Sequence, residues 1–322
     1  MKRLITVVML VVSALWALGA SAQMYPNRPI KLIVADSAGG APDQLGRLIT
    51  ERLSNNVNQP VVVDNRPGAG GALGAELAAK SAPDGYTLLL TTTAIYAILP
   101  NLRKNLPYDP VRDFVPITRI ATASNVLVVN NELPVKDIAE LVKLAKKKPG
   151  ALNYASAGVG TPAHLAGEML NLLADIKVVH VPYKGAAPAL ADVIAGNAQY
   201  IITSPLAAGA HMNGGRVRAL ATTGTQRNPS LPDLATIAET LPGYDITQTW
   251  GIVVPTGTPP EIVNKLSVEI VKVMNQPDVR EKVLATGATP VGDSPAQFEA
   301  FMTKERQRLG DVIAKRGIVL TD

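Results

Sequence analysis

The sequence predicts an α/β protein made of two units of similar design followed by a helical tail. Three observations predict it. Short apolar runs of strand length alternate with stretches of helical periodicity from Ile30 onward. The alternation breaks and restarts after Thr118. Beyond Trp250 the pattern changes to one strand and three helical stretches. Strands alternating with helices predict parallel sheets covered on both faces.

In the first unit, residues 30–35 are apolar almost throughout and read as a buried strand. Leu45, Leu48, Ile49 and Leu53 fall at helical spacing, which predicts a helix over residues 42–55. Residues 61–63 form the next strand, interrupted by Asp64-Asn65-Arg66-Pro67. Residues 68–80 read as turn and helix, with Leu73, Leu77 and Ala78 as the apolar stripe. Residues 88–90 are the third strand. In the second unit, residues 120–129 read as an extended run and 135–148 as a helix with Ile138, Leu141, Val142 and Ala145 on one face. Residues 152–155 are a strand, and 161–174 a helix whose apolar side carries Leu165, Met169, Leu172 and Leu173. A strand over 178–181, a helix over 186–195 and strands over 200–202 and 217–221 complete it. The tail holds a strand over 250–254 and helices over 261–274, 279–286 and 294–316. The two units share a pattern without any repeat of sequence.

The chain has 322 residues and no cysteine, which excludes disulfides, thiol nucleophiles and a lipid-modified N-terminal cysteine. Lys2 and Arg3 precede an apolar stretch over residues 4–19 and the small-residue site Ala20-Ser21-Ala22. This is the form of a cleaved export signal over residues 1–22, with the mature chain starting at Gln23. The competing expectation is an uncleaved anchor, because the stretch approaches spanning length. Cleavage removes two cations and no acid, so the net charge of +5 falls to +3. The tightest basic run, Lys146-Lys147-Lys148, precedes Pro149-Gly150 and reads as cations at a helix C-terminus. No aromatic residues accompany it, which disfavours a nucleic-acid patch.

Four segments carry candidate chemistry. Asp36, Ser37, Ala38, Gly39, Gly40 and Asp43 lie where the first strand turns into a helix. Gly39 and Gly40 let an anion approach backbone N–H groups at a helix start. Asp43 is either part of that site or a favourable first-turn charge. Ser156, Ala157, Gly160, Thr161 and His164 form a second strand-to-helix turn, SAGVGTPAH, in which Thr161 suits the cap and Pro162 the first helical position. Thr91 and Thr92 end a strand with hydroxyls, and Thr203 and Ser204 do so in the second unit. Tyr183 and Lys184 are candidates for the rim.

The wording YPNRPIKLIV, AGGAPD, VVVDNRPGAGGALGAE and APDGYTLLL resembles the Bug-type extracytoplasmic solute receptors of tripartite tricarboxylate transporters. The resemblance continues through YDPVRDFVPIT, SAGVGTPAHLAGE, HVPYKGAAPAL, RALATTGTQR and WGIVVPTGTP, and so covers nearly the whole mature chain. It implies a two-lobed periplasmic-binding-protein fold with a ligand cleft between lobes. Lobe 1 would be residues 23–121 plus 251–322, and lobe 2 residues 122–250, with crossovers near 118–125 and 247–251. It implies a periplasmic monomer that captures a small organic carboxylate, closes about a hinge and serves membrane permease subunits, with no cofactor. An exported sensor acting on a signalling partner would share the same cleft. The family's backbone at residues 35–43 holds a ligand carboxylate, and the loop at 156–161 forms the opposite wall. Two departures bear on the ligand. Ala35 and Asp36 stand where the family often has a proline and an aromatic, so Asp36 repels a carboxylate but accepts from a hydroxyl or ammonium. Ile202, Thr203 and Ser204 stand where an aromatic, aspartate and asparagine are frequent.

The rival readings lack their residues. GAGGALG over residues 68–74 resembles a dinucleotide fingerprint but does not fit the GxGxxG spacing, because Leu73 occupies the third glycine position. No acid ends the strand at 88–90 to hold a ribose. His164 and Glu168 share a helix face, but the chain has no HExxH pattern, and a core or capping role is the alternative for His164. A GxSxG elbow is also absent. No metal and no catalytic residue is expected.

Overall fold

The computed structural model describes residues 25–318 apart from Ser37 and Lys184. The expected export signal, Ser37 and Lys184 therefore lie outside the described residues.

The first unit runs β1 (Ile30–Val34), α1 (Ala41–Val57), β2 (Val61–Asn65), a 3-10 turn (Ala69–Gly71), α2 (Ala72–Ala79) and β3 (Thr87–Thr92). A π-helical segment (Ala94–Ile98) continues as α3 (Leu99–Leu102), followed by β4 (Phe114–Ser124). The second unit runs β5 (Val126–Asn130), α4 (Ile138–Lys147), β6 (Asn153–Ser156), α5 (Pro162–Ala174), β7 (Val179–Pro182) and α6 (Ala186–Ile194). It ends with β8 (Tyr200–Thr203), α7 (Pro205–Asn213), β9 (Val217–Thr222) and α8 (Ile237–Thr240). The chain closes with β10 (Thr247–Pro255), α9 (Pro260–Met274), α10 (Pro277–Ala285), β11 (Thr289–Pro290) and α11 (Pro295–Arg316).

Two sheets result, in the orders β11-β4-β10-β3-β1-β2 and β7-β6-β8-β5-β9. They are mixed rather than parallel. β1 is parallel to β2 and β3, but β10 is antiparallel to both β3 and β4. In the second sheet β6 is parallel to β7 and β8, and β5 is antiparallel to β8 and β9. The short edge strand β11 is antiparallel to β4, and the other reversed strands, β5 and β10, are the ones that arrive from the other unit. β5 follows β4 after a single residue, Asn125, and β10 returns the chain from the second unit to the first. Each enters its sheet from the side facing the partner unit, so it runs against its neighbours. By sheet membership, residues up to Ser124 and from Thr247 belong with the first unit.

Thr223 ties the two crossings together. Its Oγ1 donates to the Ile246 carbonyl at 2.6 Å and accepts from the Asn125 amide at 2.9 Å. Thr93, just past β3, anchors the second crossing: its Oγ1 accepts from the Thr249 amide at 2.9 Å. Behind them one apolar core runs through both units, from Leu89, Tyr96 and Phe298 to Tyr154, Leu170 and Tyr244. Separate cores fill the outer faces of the two sheets.

Some expected helix faces differ. Leu73 and Leu77 of α2 are exposed, and the buried face is Ala72, Gly74, Ala75 and Ala78. Small residues face inward because α2 lies almost in contact with the end of β1. A Cβ on Gly74 would stand 2.6 Å from the Ala35 Cβ. Leu173 of α5 is likewise exposed, and Leu170 is buried in its place. β2 continues through Asp64 and Asn65, which pair with Ile33 and Val34.

Candidate functional site

Four helix starts converge where the two units face each other. Helices open with first-turn N–H groups that have no intrahelical acceptor and a partial positive charge, so such a convergence favours an anion. A cavity of about 340 Å³ lies there. Its walls include Pro42 of α1, Gly68, Gly70 and Gly71 before α2, Ala94 at the start of the π-helical segment, and Pro162 of α5. Asp36, Thr92 and Gln248 complete its polar lining. Asp36 is the one charged side chain on this wall among the described residues.

The first wall is held by a buried carboxylate. Asp43 is 3% exposed. Its Oδ2 accepts from the Gly39 amide at 2.8 Å and from Arg47 Nε at 3.0 Å. Its Oδ1 accepts from Asn65 Nδ2 at 2.9 Å, and the same Asn65 amide reaches the Asp36 carbonyl at 3.2 Å. Burial works to raise the Asp43 carboxyl, but the hydrogen bonds from Arg47, Gly39 and Asn65 outweigh it and hold it below the ordinary range. Gly39 has φ +86°, a left-handed conformation that glycine adopts at least cost. Asp43 and Asn65 thus hold Gly39 and the Asp36 carbonyl beside the start of α1.

The glycines of residues 68–71 sit beside that loop. Gly71 has φ +98°, and a Cβ there would stand 2.9 Å from Ile95. The run that resembles a dinucleotide fingerprint is therefore part of this same wall. The sequence reading missed Gly68, Gly70, Gly71, Asn65, Ala94 and Gln248. A helix packed on small residues, with Gly74 against Ala35, was the available signal for the glycines. Thr92 lines the cavity, whereas Thr91 is buried on the other face of the strand.

The second wall is the start of α5, which reaches the cavity through Pro162; the turn before it, between β6 and α5, does not itself line the cavity. Thr161 caps α5: its Oγ1 accepts from the His164 amide at 3.3 Å and donates to the Gly158 carbonyl at 2.8 Å. Ser156 is fully buried, with Oγ 2.7 Å from His180 Nε2 and accepting from the Gly158 amide at 3.1 Å. Ala157 lies between these anchors, and Gly160 donates its amide to His164 Nδ1 at 3.2 Å. His164 is buried and stacked on His180. Thr203 is buried at the end of β8, and Ser204 caps α7, accepting from the Ala207 amide at 3.2 Å. Neither Thr203 nor Ser204 is on the wall of the cavity. Tyr183 donates to Asp192, and that bond, ahead of burial, pushes its hydroxyl up to about 12.

A second cavity of about 280 Å³ lies past the crossing strands, between Thr122, Ser124, Asp245 and Thr289. Its charged groups are already paired: Arg119 with Asp293, Arg227 with Glu239, and Glu305 with Arg308. The cavity at the helix starts is the better anion site. No cluster of three or more metal-ligating side chains occurs among the described residues. No helix among them is long and apolar enough to cross a membrane.

This architecture, two mixed α/β lobes joined by crossing strands over an anion-suited cleft, is that of two-lobed periplasmic binding proteins. Residues 45–318 match the tripartite tricarboxylate transporter family receptor model. The chain belongs to that family. It is 35% identical over 323 residues to the protein BugT of Bordetella pertussis, covering 99% of each chain. A Rhodopseudomonas palustris protein solved with adipate has a TM-score of 0.80 and 35% identity, over 92% of this chain and 99% of that one. MatC of the same organism, solved with bound malate, has a TM-score of 0.75 and 30% identity, over 90% of this chain and all of that one.

Proposed function

We propose that this chain is an exported receptor that captures a small organic carboxylate between its lobes for the membrane subunits of a tripartite transporter. The observation that carries the reading is the convergence of helix starts from both lobes on one cavity. One carboxylate is held by backbone amides around Gly40 and Gly70, with Thr92, the Gly39 and Gly71 amides being given to Asp43 Oδ2 and the Gly68 carbonyl. A second anionic group is held by the turn of residues 156–161. Amides do this without salt-bridging cations, so the ligand is released without breaking strong ion pairs. Asp36 on the wall favours a ligand that carries a hydroxyl or ammonium beside its carboxylates. No covalent step is involved. The export signal over residues 1–22 and relatives that bind adipate and malate support the assignment.

Isothermal titration of the chain from Gln23 with succinate, malate, adipate and 1,5-diaminopentane tests it. Binding of at least one diacid, malate ahead of succinate, and none of the diamine is expected. Heat from the diamine alone, or from NAD and no acid, overturns the reading.

A further inference from the structure

Beneath the second wall stands a column of four aromatic rings. His164 stacks on His180 with centroids 4.0 Å apart, His180 on Tyr154 at 4.8 Å, and Tyr154 on Tyr200 at 5.6 Å. The two imidazoles at the top each hold one part of the turn. His164 Nδ1 accepts from the Gly160 amide at 3.2 Å. His180 Nε2 is 2.7 Å from Ser156 Oγ, which in turn accepts from the Gly158 amide at 3.1 Å. Gly158 and Gly160 have φ of +137° and +78°, so the backbone between them has little shape of its own and depends on these anchors.

The arrangement requires a particular protonation state. An Nδ1 that accepts from an amide carries no proton, so His164 holds Gly160 only as the tautomer protonated on Nε2. Two imidazoliums stacked at 4.0 Å would repel strongly. Burial lowers the pKa of both rings, and the neighbouring His164 helps bring His180 down to about 4. The other titratable or charged groups packed around the pair are Glu168 on the same helix, Tyr154 and Tyr200 on adjacent strands, and Arg316 from α11. Glu168 opposes the lowering but is already engaged. It accepts from Tyr154 Oη at 2.8 Å and from Arg316 Nε at 2.7 Å.

We propose that His164 and His180 are positioning residues of the second wall: as a stacked pair they fix residues 156–160 in the shape that faces the ligand, and a proton on His164 Nδ1 releases that turn, whereas Ser156 Oγ can accept from a protonated His180 Nε2 while donating to the Gly158 carbonyl. The ligand-facing part rests on the carboxylate reading above; the fixing of the turn does not. The sign follows from the lowered pKa values. The neutral, braced state is fully populated above about pH 6.5, and it is lost as pH falls through the lowered His164 value.

Amide hydrogen exchange of residues 156–164, corrected for intrinsic rates, tests it on the full mature chain without any ligand. Protection is expected to hold from pH 7 to about pH 6 and to fall on further acidification as the His164 ring takes up its proton below the ordinary imidazole range. His164→Ala is expected to lower protection at pH 7 by about tenfold, the weight of one hydrogen bond. His164→Asn places Oδ1 where Nδ1 stood and takes up no proton, so it should recover most of that loss and flatten the pH profile. His180→Gln, whose amide reaches as far as Nε2, is the second variant. Nitrogen chemical shifts of the labelled rings should report the Nε2–H tautomer for His164 at pH 7. Unchanged protection in His164→Ala, or an Nδ1–H tautomer, overturns the proposal. Malate and adipate titrations of the same variants separate the two claims. A turn that responds while neither acid binds sustains the positioning role and overturns the carboxylate reading.

Discussion

Replacing Asp43 with alanine should loosen the first wall more than it unfolds the protein. The side chain accepts from Gly39 at 2.8 Å, Asn65 at 2.9 Å and Arg47 at 3.0 Å. Arg47 is 58% exposed in its side chain, so its ion pair is screened by solvent and contributes little. The Gly39 and Asn65 bonds end on a buried charge, and each contributes about 1.5 kcal/mol. A negative charge in the first turn of α1 adds about 0.5 kcal/mol. Water reaches the freed Gly39 and Asn65 groups, which offsets part of the loss. The expected destabilisation is about 2–3 kcal/mol, or a melting temperature lower by about 3–5 °C for a chain of this length. Urea unfolding monitored by circular dichroism gives the first number. Exchange of the Gly39 amide gives the second readout, and it should lose its protection altogether. Stability should also be less sensitive to acid in the variant. Asp43 has a lowered pKa, so its contribution is present above the ordinary carboxyl range and is lost as pH falls through the folded value. A destabilisation below about 0.5 kcal/mol with a Gly39 amide as protected as before would refute the assignment of Asp43 as the brace.

Three further outcomes follow from the same geometry. Gly74→Ala places a Cβ 2.6 Å from the Ala35 Cβ and 2.9 Å from its Cα. The backbone must yield, so thermal unfolding should show a loss of about 2–4 kcal/mol, and an unchanged melting temperature would contradict the close packing of α2 on β1. In Gly39→Val the added Cβ meets no atom within 4 Å among the described residues but sits at φ +86°. It should cost about 1–2 kcal/mol of stability, while binding of whichever diacid the receptor takes falls by more than tenfold; full affinity would remove this turn from the site. Glu168→Gln keeps a partner for Tyr154 but removes the charge facing Arg316 across the lobes at 2.7 Å. A loss of about 1–2 kcal/mol in urea is expected, reduced at high salt, and a neutral result would show that the lobes do not rely on this pair.

The strands were legible because apolar runs of strand length have few alternatives in a chain of this composition. What the apolar pattern could not give was strand direction. β5 and β10 look like any other buried strand in sequence, and their reversal comes only from where the chain enters each sheet. The helix faces failed for a related reason. Periodicity marks leucines as the inward stripe, yet α2 must approach β1 so closely that only Gly74 and alanines fit, which turns Leu73 and Leu77 outward. Residues 94–102 and 205–213 were unassigned because their helices begin directly at strand ends, where the threonines and Ser204 read as loop.

The site divided along a similar line. Strand-to-helix turns rich in glycine are visible in sequence, and two such turns do face the cavity through Pro42 and Pro162. Which side chains hold those turns is decided by contacts across the fold. Asn65 looked like the interruption of a strand, but β2 runs through it and delivers its amide to both Asp36 and Asp43. His164 and Ser156 looked like candidates to touch a ligand, yet both are buried and engaged with the backbone of the turn or with His180. A receptor that grips its ligand with backbone amides must fix those amides by other means, because glycine gives them no conformation of its own. The buried polar residues just behind the wall perform that task. Sequence reasoning that looks for polar groups at strand-to-helix turns places the braces of those turns, Ser156 and His164, among its candidate ligand contacts.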